Sequence, residues 1–263
     1  NFPGYPNGTD GTAMMEDLKN QAERFGTEVR FGMVTKVEFN PKVGGIHKII
    51  VDEAIELEAE TVVISTGATA KYLGIESEQR LIGGGVSACA TCDGFFYKGQ
   101  DVVVVGAGDT AAEEATYLSN ICNKVTMIIR KDYMRASKAM QHRVNKTKNI
   151  AVKFNYEIDE VLGDNVVEGV RVFNNQTGEK EVIDVTGVFI AIGHTPNTGI
   201  FKDQLEMDKT GYLITDGKST KTNIPGVFAA GDVQDKEYRQ AVTAAGTGCM
   251  AALDAERYLG ALL

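Results

Sequence analysis

The residues best suited to chemistry are two cysteines and the carboxylate that follows them, in the run Cys89-Ala90-Thr91-Cys92-Asp93. Two residues between the cysteines place the thiols one turn apart, close enough to form a disulfide. Thiolate is the attacking species in thiol–disulfide exchange, and Asp93 is placed to donate and accept the proton that this exchange moves. The pattern predicts a redox-active pair, and a purely structural disulfide is the alternative.

The remaining cysteines and the histidines do not suggest a metal centre. A zinc site built on one Cys-x-x-Cys pair needs two further ligands, usually a second such pair or two histidines. Cys122 and Cys249 lie far from the pair in sequence. The histidines, at positions 47, 142 and 194, are equally scattered. We therefore expect no metal site, and we expect Cys122 and Cys249 to be buried thiols.

A glycine-rich run, Gly106–Ala111 (GAGDTA), follows a β-branched segment and precedes a helical one. In this context the run is typical of a dinucleotide-binding turn. Gly106 would make the tight turn, and Gly108 would let a pyrophosphate approach the backbone. Asp109 and Thr110 open the helix, whose free N–H groups would face the phosphates. The alternative is a turn that only joins strand to helix.

Positive charge follows the next strand of this unit. Sites for NAD usually place Asp or Glu about 20 residues beyond the glycines, where the carboxylate accepts hydrogen bonds from the ribose. Here the strand ends at Arg130 and Lys131, with Arg135 close behind. Because a 2′-phosphate suits cations at this place, the sequence predicts NADPH rather than NADH. The alternative is a solvated basic face that continues to Lys148.

The hydrophobic pattern predicts an α/β fold. Strand, glycine turn, helix and strand follow one another between Val102 and Ile129, which is one βαβ unit of a parallel sheet. Before it we expect a helix over Met14–Phe25 and a strand over Glu28–Phe39, and at the end of the chain a long helix from Val242 to Leu259.

Two domains are expected, because 263 residues exceed the roughly 100 to 200 residues of a usual single domain. The order of the elements suggests that residues 69–195 form a domain inserted into a discontinuous outer one, residues 1–68 and 196–263. Each is large enough for a hydrophobic core of its own.

The charge and hydropathy of the chain exclude two classes of partner. A formal net charge of −9 argues against nucleic acid, because phosphate binding needs a basic field. No window offers the roughly 18 apolar residues that cross a bilayer, and the first residues do not resemble a signal peptide. We therefore expect a cytoplasmic protein without a membrane partner.

Taken together, these motifs resemble those of the low-molecular-weight, bacterial-type thioredoxin reductases. The resemblance runs from the first residues to the C-terminal helix, and it rests also on Gly231-Asp232 and Arg239-Gln240-Ala241. It implies two Rossmann-like nucleotide-binding domains. The NADPH domain, residues 69–195, would carry the thiols and be inserted into the FAD domain, residues 1–68 and 196–263.

The resemblance also implies an activity and an assembly. A hydride would pass from NADPH to FAD, the electron pair would go on to the Cys89–Cys92 disulfide, and the reduced pair would reduce thioredoxin by exchange. In the family the thiol-bearing domain rotates against the FAD domain, and the turns at Thr66-Gly67 and Gly193-His194 would be the hinges. A homodimer is expected by the same resemblance.

The cofactor-binding residues can be carried over position by position. Those expected near FAD are Asn1, Thr66, Gly67, Gly231, Asp232, Val233, Arg239, Gln240 and Ala241. Those expected near NADP(H) are Gly106, Gly108, Asp109, Thr110, Arg130, Lys131 and Arg135. Among the first group, the resemblance implies that Asp232 bonds the ribitol chain and that Arg239, Gln240 and Ala241 lie along the flavin ring.

Two aromatic residues after the thiols, Phe95 and Phe96, belong to the loop that meets thioredoxin in the family. Adjacent aromatics are ordinarily core residues, so a core role is the alternative to a partner anchor. For the whole chain, the alternatives are a related flavin-dependent reductase that serves a peroxiredoxin or a small dithiol, and a nucleotide-sensing protein without flavin chemistry.

The sequence departs from the family pattern in four places. Members begin with a βαβ unit that has its own glycine motif, and this chain starts at Asn1 without it, about 50 residues short. We expect an N-terminal truncation and weak or absent FAD binding. Ile129 and Lys131 replace the usual His and Arg, which predicts a lower NADPH affinity. Gly84 replaces a basic residue and leaves the choice of thioredoxin open.

Overall fold

The computed structural model describes residues 2–263, so Asn1, predicted to lie near the flavin, is outside the described residues. The helices are α1 (Gly11–Glu23), α2 (Glu76–Arg80), α3 (Ala90–Asp93), α4 (Asp109–Ser119), α5 (Lys138–Lys146) and α6 (Ala241–Gly260). The strands are β1 (Val34–Glu38), β2 (His47–Val51), β3 (Ile55–Ala59), β4 (Val62–Ile64), β5 (Ala68–Ala70), β6 (Val86–Ser87), β7 (Asp101–Val105), β8 (Lys124–Ile129), β9 (Ile150–Phe154), β10 (Tyr156–Leu162), β11 (Gly169–Asn174), β12 (Lys180–Ile183), β13 (Gly187–Ile190), β14 (His194–Pro196) and β15 (Val227–Ala229).

The chain folds into two compact units. The first comprises the chain up to Thr69 together with Thr195–Leu263, and the second is Ala70–His194. The sequence predicted the two domain boundaries at 68/69 and 195/196, each within one residue of the boundaries in the structure. The second unit therefore interrupts the first in sequence.

A five-stranded parallel sheet in the order β6-β13-β7-β8-β9 forms the centre of the second unit. The sequence of β7, DVVVV, suits a strand that is buried on both faces. Val102 and Val104 pack with α4 and α5. Val103 and Val105 pack on the other face with the antiparallel sheet β10-β11-β12. Each buried valine contributes about 1.5 to 3 kcal/mol, so this alternation fixes the register of the sheet.

The parallel direction of these strands brings the predicted motifs to one edge of the sheet. β6 ends at Ser87, just before the cysteine pair, and β7 ends at Val105, just before the glycine turn. β8 ends at Ile129, just before Arg130. Because the carboxyl ends of parallel strands open on the same side, this edge is where an α/β sheet binds its ligands.

The first unit contains helix α1, two small sheets and the long C-terminal helix α6. β1, β2 and β3 make an antiparallel sheet, and β15 lies parallel to β4. The core between them contains Val37, Ile64, Val227 and Val233. α6 packs against the β15 residue Phe228 through Ala251 and its neighbours.

The observed elements differ from the predicted ones mainly at their ends. α1 begins at Gly11 rather than Met14, because the Asp10 carboxylate accepts the Ala13 N–H at 2.9 Å and caps the helix earlier. The strand predicted over Glu28–Phe39 is formed only over Val34–Glu38. Residues 28–33 are exposed and have no regular secondary structure, so their hydrophobic side chains find no partner strand.

A buried histidine lies in the core of the first unit. His47 is 0% exposed, and its Nδ1 accepts the Asn40 N–H at 3.2 Å. The Phe39 and His47 rings pack edge to face, with their centroids 5.7 Å apart. Burial lowers the pKa of His47 below its ordinary value of 6.5, and the neighbouring backbone of Pro225 opposes this in part. The folded chain therefore favours the neutral imidazole.

Lowering the pH should destabilise the first unit through His47. Because the folded pKa lies below the unfolded one, the free energy of unfolding should fall as the pH drops below about 6.5, by at most about 1.4 kcal/mol per pH unit for one proton. Urea unfolding of the wild type and of His47→Gln, followed from about pH 7.5 to 5.5, measures this. The exposed His142 gives the control: His142→Gln should keep the pH dependence, and an equally steep dependence in His47→Gln would contradict the assignment.

Candidate active site

Cys89 and Cys92 form a disulfide at the start of a short helix. Cys89 is the N-cap residue of α3, and its Sγ accepts the Cys92 N–H at 3.2 Å. The Thr91 hydroxyl lies 3.4 Å from the same sulfur. Once the disulfide is reduced, these donors would favour a negative charge on the Cys89 sulfur. Cys92 is the more exposed member of the pair.

Ser87 holds the carboxylate of Asp93 beside the pair. Its Oγ donates to Asp93 Oδ2 at 2.6 Å and accepts the Cys89 N–H at 3.1 Å. Ser87 is 7% exposed and is fixed by the pairing of β6 with β13. One buried hydroxyl thus connects the predicted proton carrier with the backbone of the first cysteine. The role of Ser87 is not evident from the sequence, because only its contacts in the fold reveal it.

The segment after the pair packs closely on α4 and exposes its aromatic rings. A Cβ at Gly94 would come within 2.8 Å of the Leu118 side chain and 3.2 Å of the Tyr117 ring, so a larger residue there would have to displace these side chains. The two residues that follow, Phe95 and Phe96, are 69% and 76% exposed. They are therefore not core residues, and their rings are free to contact another molecule.

The two other cysteines differ in environment. Cys122 is buried, and its burial, with a smaller effect from Asp101, raises the pKa of its thiol to about 11. Cys249 is exposed, so the prediction that it is buried is wrong. The reason is the orientation of α6, which buries Ala251 and Asp254 and leaves the face with Cys249 outside.

The two glycines of the turn after β7 differ in whether the fold has room for a side chain. Gly106 has a φ of 147°, and a Cβ there would lie 2.3 Å from the Ala191 carbonyl oxygen and 2.8 Å from the Ala111 methyl. A Cβ at Gly108 would meet no atom within 4 Å. No atom of residues 2–263 excludes a side chain at Gly108, so the open space beside the backbone suits a phosphate at the N-terminus of α4.

The predicted cations lie at the next strand end. Arg130 follows β8 directly, and Arg130, Lys131 and Arg135 are all exposed. Across residues 2–263, the ion pairs between side chains involve none of the three. These cations could therefore hold an anion.

Asp109 and Thr110 begin α4, and they differ in what they contact. Thr110 is half-buried in the first turn of the helix. Asp109 is exposed, and its Oδ1 accepts the Ser137 N–H at 2.8 Å. Hydrogen bonds from the backbone and the side chain of Ser137 lower the pKa of Asp109, so its carboxylate is ionised at neutral pH.

The first unit contains a cleft of about 430 Å³ beside the N-terminal half of α6. Of the residues predicted near FAD, those that line it are Gly67, Gly231, Asp232, Gln240 and Ala241. The remaining wall is formed by Val63, Ser65, Ala230, Ala244 and Gly248. A Cβ at Gly67 or Gly248 would meet no atom within 4 Å, so glycine keeps the cleft wide at both places.

One carboxylate, Asp232, lines this cleft a few residues after β15. Burial, and secondly the nearby Asp235, raise the pKa of Asp232, while Arg239 opposes the shift. Asp235 accepts the N–H groups of Glu237 and Tyr238 at 2.9 Å each and that of Arg239 at 3.2 Å. It thereby holds Arg239 at a φ of 47° just before α6. Sequence analysis did not single out Asp235, since its role lies in backbone contacts.

Three residues predicted near FAD do not line the cleft with their side chains. Thr66 exchanges hydrogen bonds with Asn197, at 2.8 Å from its hydroxyl and 2.9 Å to its carbonyl. Val233 is 0% exposed and belongs to the core. Arg239 donates from its guanidinium to the Lys236 carbonyl. Of these three, Thr66 and Val233 have evident structural tasks.

The described part of the chain has neither a membrane-spanning helix nor a cluster of metal-ligating side chains. Between residues 2 and 263, no helix is both long enough and apolar enough to cross a membrane. Over the same residues, no three His, Cys, Asp or Glu side chains cluster in a way that could hold a metal ion.

Comparison with known proteins places the chain in a family. The sequence profile described as pyridine nucleotide-disulphide oxidoreductase matches residues 7–248. The thioredoxin reductase of Rickettsia conorii is 50% identical over 262 residues, which are 98% of this chain and 84% of that protein. The thioredoxin reductase of Vibrio cholerae is 51% identical over 267 residues, which cover 98% and 82% of the two chains.

Solved structures agree with the sequence relatives. Thioredoxin reductase from Giardia duodenalis matches with a TM-score of 0.92 and 42% identity, over 99% of this chain and 84% of that one. Thioredoxin reductase from Streptococcus pyogenes matches with a TM-score of 0.91 and 37% identity, again over 99% and 84%. The chain therefore belongs to the pyridine nucleotide-disulphide oxidoreductases and, within them, to the low-molecular-weight thioredoxin reductases.

Proposed function

We propose that this chain uses NADPH, through bound FAD, to reduce its Cys89–Cys92 disulfide and that the reduced pair then reduces thioredoxin. The observation that carries the proposal is the joint placement of the disulfide, the glycine turn and the cations at one edge of one parallel sheet. A disulfide that only stabilised the fold would not need to lie beside a nucleotide-binding turn and a group of cations. Membership of the family supports the use of a flavin and a pyridine nucleotide.

NADPH is favoured over NADH by the charges at the end of β8. Arg130, Lys131 and Arg135 are exposed, and a 2′-phosphate would give them a partner. If one charge-assisted contact contributes about 2 kcal/mol, it favours NADPH by roughly 30-fold. We assign residues 69–195 to this nucleotide.

FAD is assigned to the first unit, whose bounds the sequence predicted as residues 1–68 and 196–263. The cleft beside α6 supports this, because glycines keep it open and a carboxylate with a raised pKa lies in its wall. Gln240 and Ala241 begin α6 at the same cleft, where the helix N-terminus favours electron-rich ring atoms. Asp232 is placed to accept hydrogen bonds from hydroxyl groups of a ribitol chain.

The chemistry divides between the cofactors and the side chains. Bound FAD would supply the two-electron chemistry that links NADPH to the disulfide. Asp93, held by Ser87, supplies a proton to the sulfur that leaves. One thiolate of the pair then attacks the partner disulfide, and a mixed disulfide forms as one partner thiolate leaves. Attack by the second cysteine restores Cys89–Cys92 and frees the other partner thiol.

Thioredoxin is the proposed partner, because the relatives at about 50% identity are named thioredoxin reductases. None of the features of the described residues favours a peroxiredoxin instead. Phe95 and Phe96 are the proposed contacts, since both rings are exposed directly after the pair. We place the enzyme in the cytoplasm, where the free Cys249 stays reduced, and we propose a homodimer on the family resemblance.

Anaerobic titration of the flavin-bound full-length protein with NADPH tests the electron path. The wild type should lose flavin absorbance and gain two thiols per chain, because the disulfide accepts two electrons. Cys92→Ser should lose flavin absorbance and gain no thiol. The control variant Cys249→Ser should respond as the wild type does. Flavin reduction without new thiols in the wild type would make the pair structural.

The two glycines of the turn should respond differently to alanine. Gly108→Ala should leave the thermal midpoint within about 2 °C, because the new methyl meets no protein atom, and should weaken NADPH binding at least about ten-fold by filling the phosphate space. Gly106→Ala should lower the free energy of unfolding by about 2 kcal/mol or more, because its methyl would clash with the Ala191 carbonyl. Calorimetry and NADPH titration measure both, and unchanged NADPH affinity in Gly108→Ala would exclude the phosphate site.

Replacing both exposed phenylalanines with alanine should impair the exchange with thioredoxin alone. The Phe95→Ala/Phe96→Ala variant should raise the KM for thioredoxin about ten-fold, the effect of one lost aromatic anchor, and should reduce a small aromatic disulfide as fast as the wild type. Phe25 is 75% exposed and lies in the other unit, so Phe25→Ala is the matched control. An unchanged KM for thioredoxin in the double variant would remove the anchor role.

A further inference from the structure

Three hydrogen bonds connect the glycine turn with the segment that carries Arg135. The Ala107 carbonyl accepts the Arg135 N–H at 2.7 Å and the Ala136 N–H at 2.9 Å. The Asp109 carboxylate accepts the Ser137 N–H at 2.8 Å. The segment therefore lies against the turn by its backbone, and the Arg135 side chain is left exposed.

We propose that Asp109 is a positioning residue for nucleotide specificity: it ties the 134–137 segment to the glycine turn and so sets Arg135 for the 2′-phosphate of NADPH. The inference rests on the proposed function, since it assumes that this edge binds NADPH. It gives Asp109 a different task from the direct cofactor contact that the sequence predicted.

The charge of Asp109 makes a direct contact with phosphate unfavourable. An ionised carboxylate in the first turn of α4 would repel a pyrophosphate at the same helix end. Its Oδ1 is occupied instead by the Ser137 N–H, and the positive end of the helix compensates the charge. The hydrogen bond to Ser137 thus explains why a carboxylate stands at this place.

The rest of the segment is anchored independently of Asp109, so loss of the tether should not unfold it. Met134 and Ala136 are buried at 8% and 5% exposure. Gln141 Nε2 donates to the Ala136 carbonyl at 2.7 Å, and Ser137 Oγ accepts the Met140 N–H at 3.4 Å as the cap of α5. Removal of the carboxylate frees one end of a short segment whose middle carries Arg135.

The other two cations are held by different residues. The Arg130 carbonyl accepts from Asn175 Nδ2 at 2.8 Å, and the Lys131 carbonyl accepts the Asn155 N–H at 3.1 Å. A change at Asp109 should therefore affect the contribution of Arg135 and leave those of Arg130 and Lys131 in place. The expected effect is a partial loss of the preference for the phosphorylated nucleotide.

The test compares Asp109→Ala and Asp109→Asn in the full chain. Dissociation constants for 2′,5′-ADP and 5′-AMP are measured by calorimetry, and KM values for NADPH and NADH are measured with thioredoxin. Asp109→Ala should weaken 2′,5′-ADP binding and raise the KM for NADPH about ten-fold, which is part of the roughly 30-fold effect of one charge-assisted contact, with 5′-AMP and NADH unchanged. Asp109→Asn keeps an acceptor for the Ser137 N–H and removes the charge, so it should bind 2′,5′-ADP at least as tightly as the wild type.

A double-mutant cycle shows whether Asp109 acts through Arg135. In the Arg135→Ala background, Asp109→Ala should have no further effect on 2′,5′-ADP binding. Glu113 is an exposed carboxylate one turn further along α4, so Glu113→Ala controls for the loss of a negative charge and should leave the preference unchanged.

Two results would overturn the positioning role. If Asp109→Ala binds 2′,5′-ADP as tightly as Asp109→Asn does, the tether is without effect. If it weakens 5′-AMP and 2′,5′-ADP equally, Asp109 supports the turn as a whole. A wild type that binds both nucleotides alike would instead refute the NADPH assignment, and the inference with it. The wild-type measurement alone thus separates failure of the proposed function from failure of the inference.

Discussion

Burial of both faces of the parallel sheet in the second unit is the constraint on which the rest of its structure depends. The side chains of β7 alternate between a helical layer and an antiparallel sheet, so a shift of one residue would exchange the two cores. With the register fixed, the ends of β6, β7 and β8 are fixed as well. The disulfide, the glycine turn and Arg130 each follow one of these ends within two residues. The chemistry of this unit is therefore positioned by its hydrophobic core.

Side chains that do no chemistry of their own complete this placement. Ser87 orders the carboxylate beside the disulfide, and Asp109 connects two loops that leave different strands. In the first unit Asp235 does comparable work, because it gathers the backbone N–H groups that precede α6. In each case a short polar side chain takes the place that regular secondary structure would otherwise fill, since backbone groups in a loop still need partners.

The sequence predicted much of this arrangement, and the limits of the prediction have physical causes. The βαβ unit was predictable because a β-branched run, glycines and a helical run follow one another, and the structure places β7, α4 and β8 there. The exposure of Cys249 was not predictable, since it depends on which face of α6 meets the core. Ser87 and Asp235 carry no pattern of their own, because their partners are backbone atoms that only the folded loops bring near.

The buried thiol of Cys122 has a consequence for the fidelity of exchange. It lies in the same unit as the redox pair, and any thiolate there would compete for the partner disulfide. With a pKa of about 11, about one molecule in ten thousand carries that thiolate at neutral pH. Burial therefore keeps Cys122 from reacting in two ways: it shields the sulfur, and it keeps the thiolate fraction low. The unit can therefore contain a third cysteine without forming mixed disulfides inside its own core.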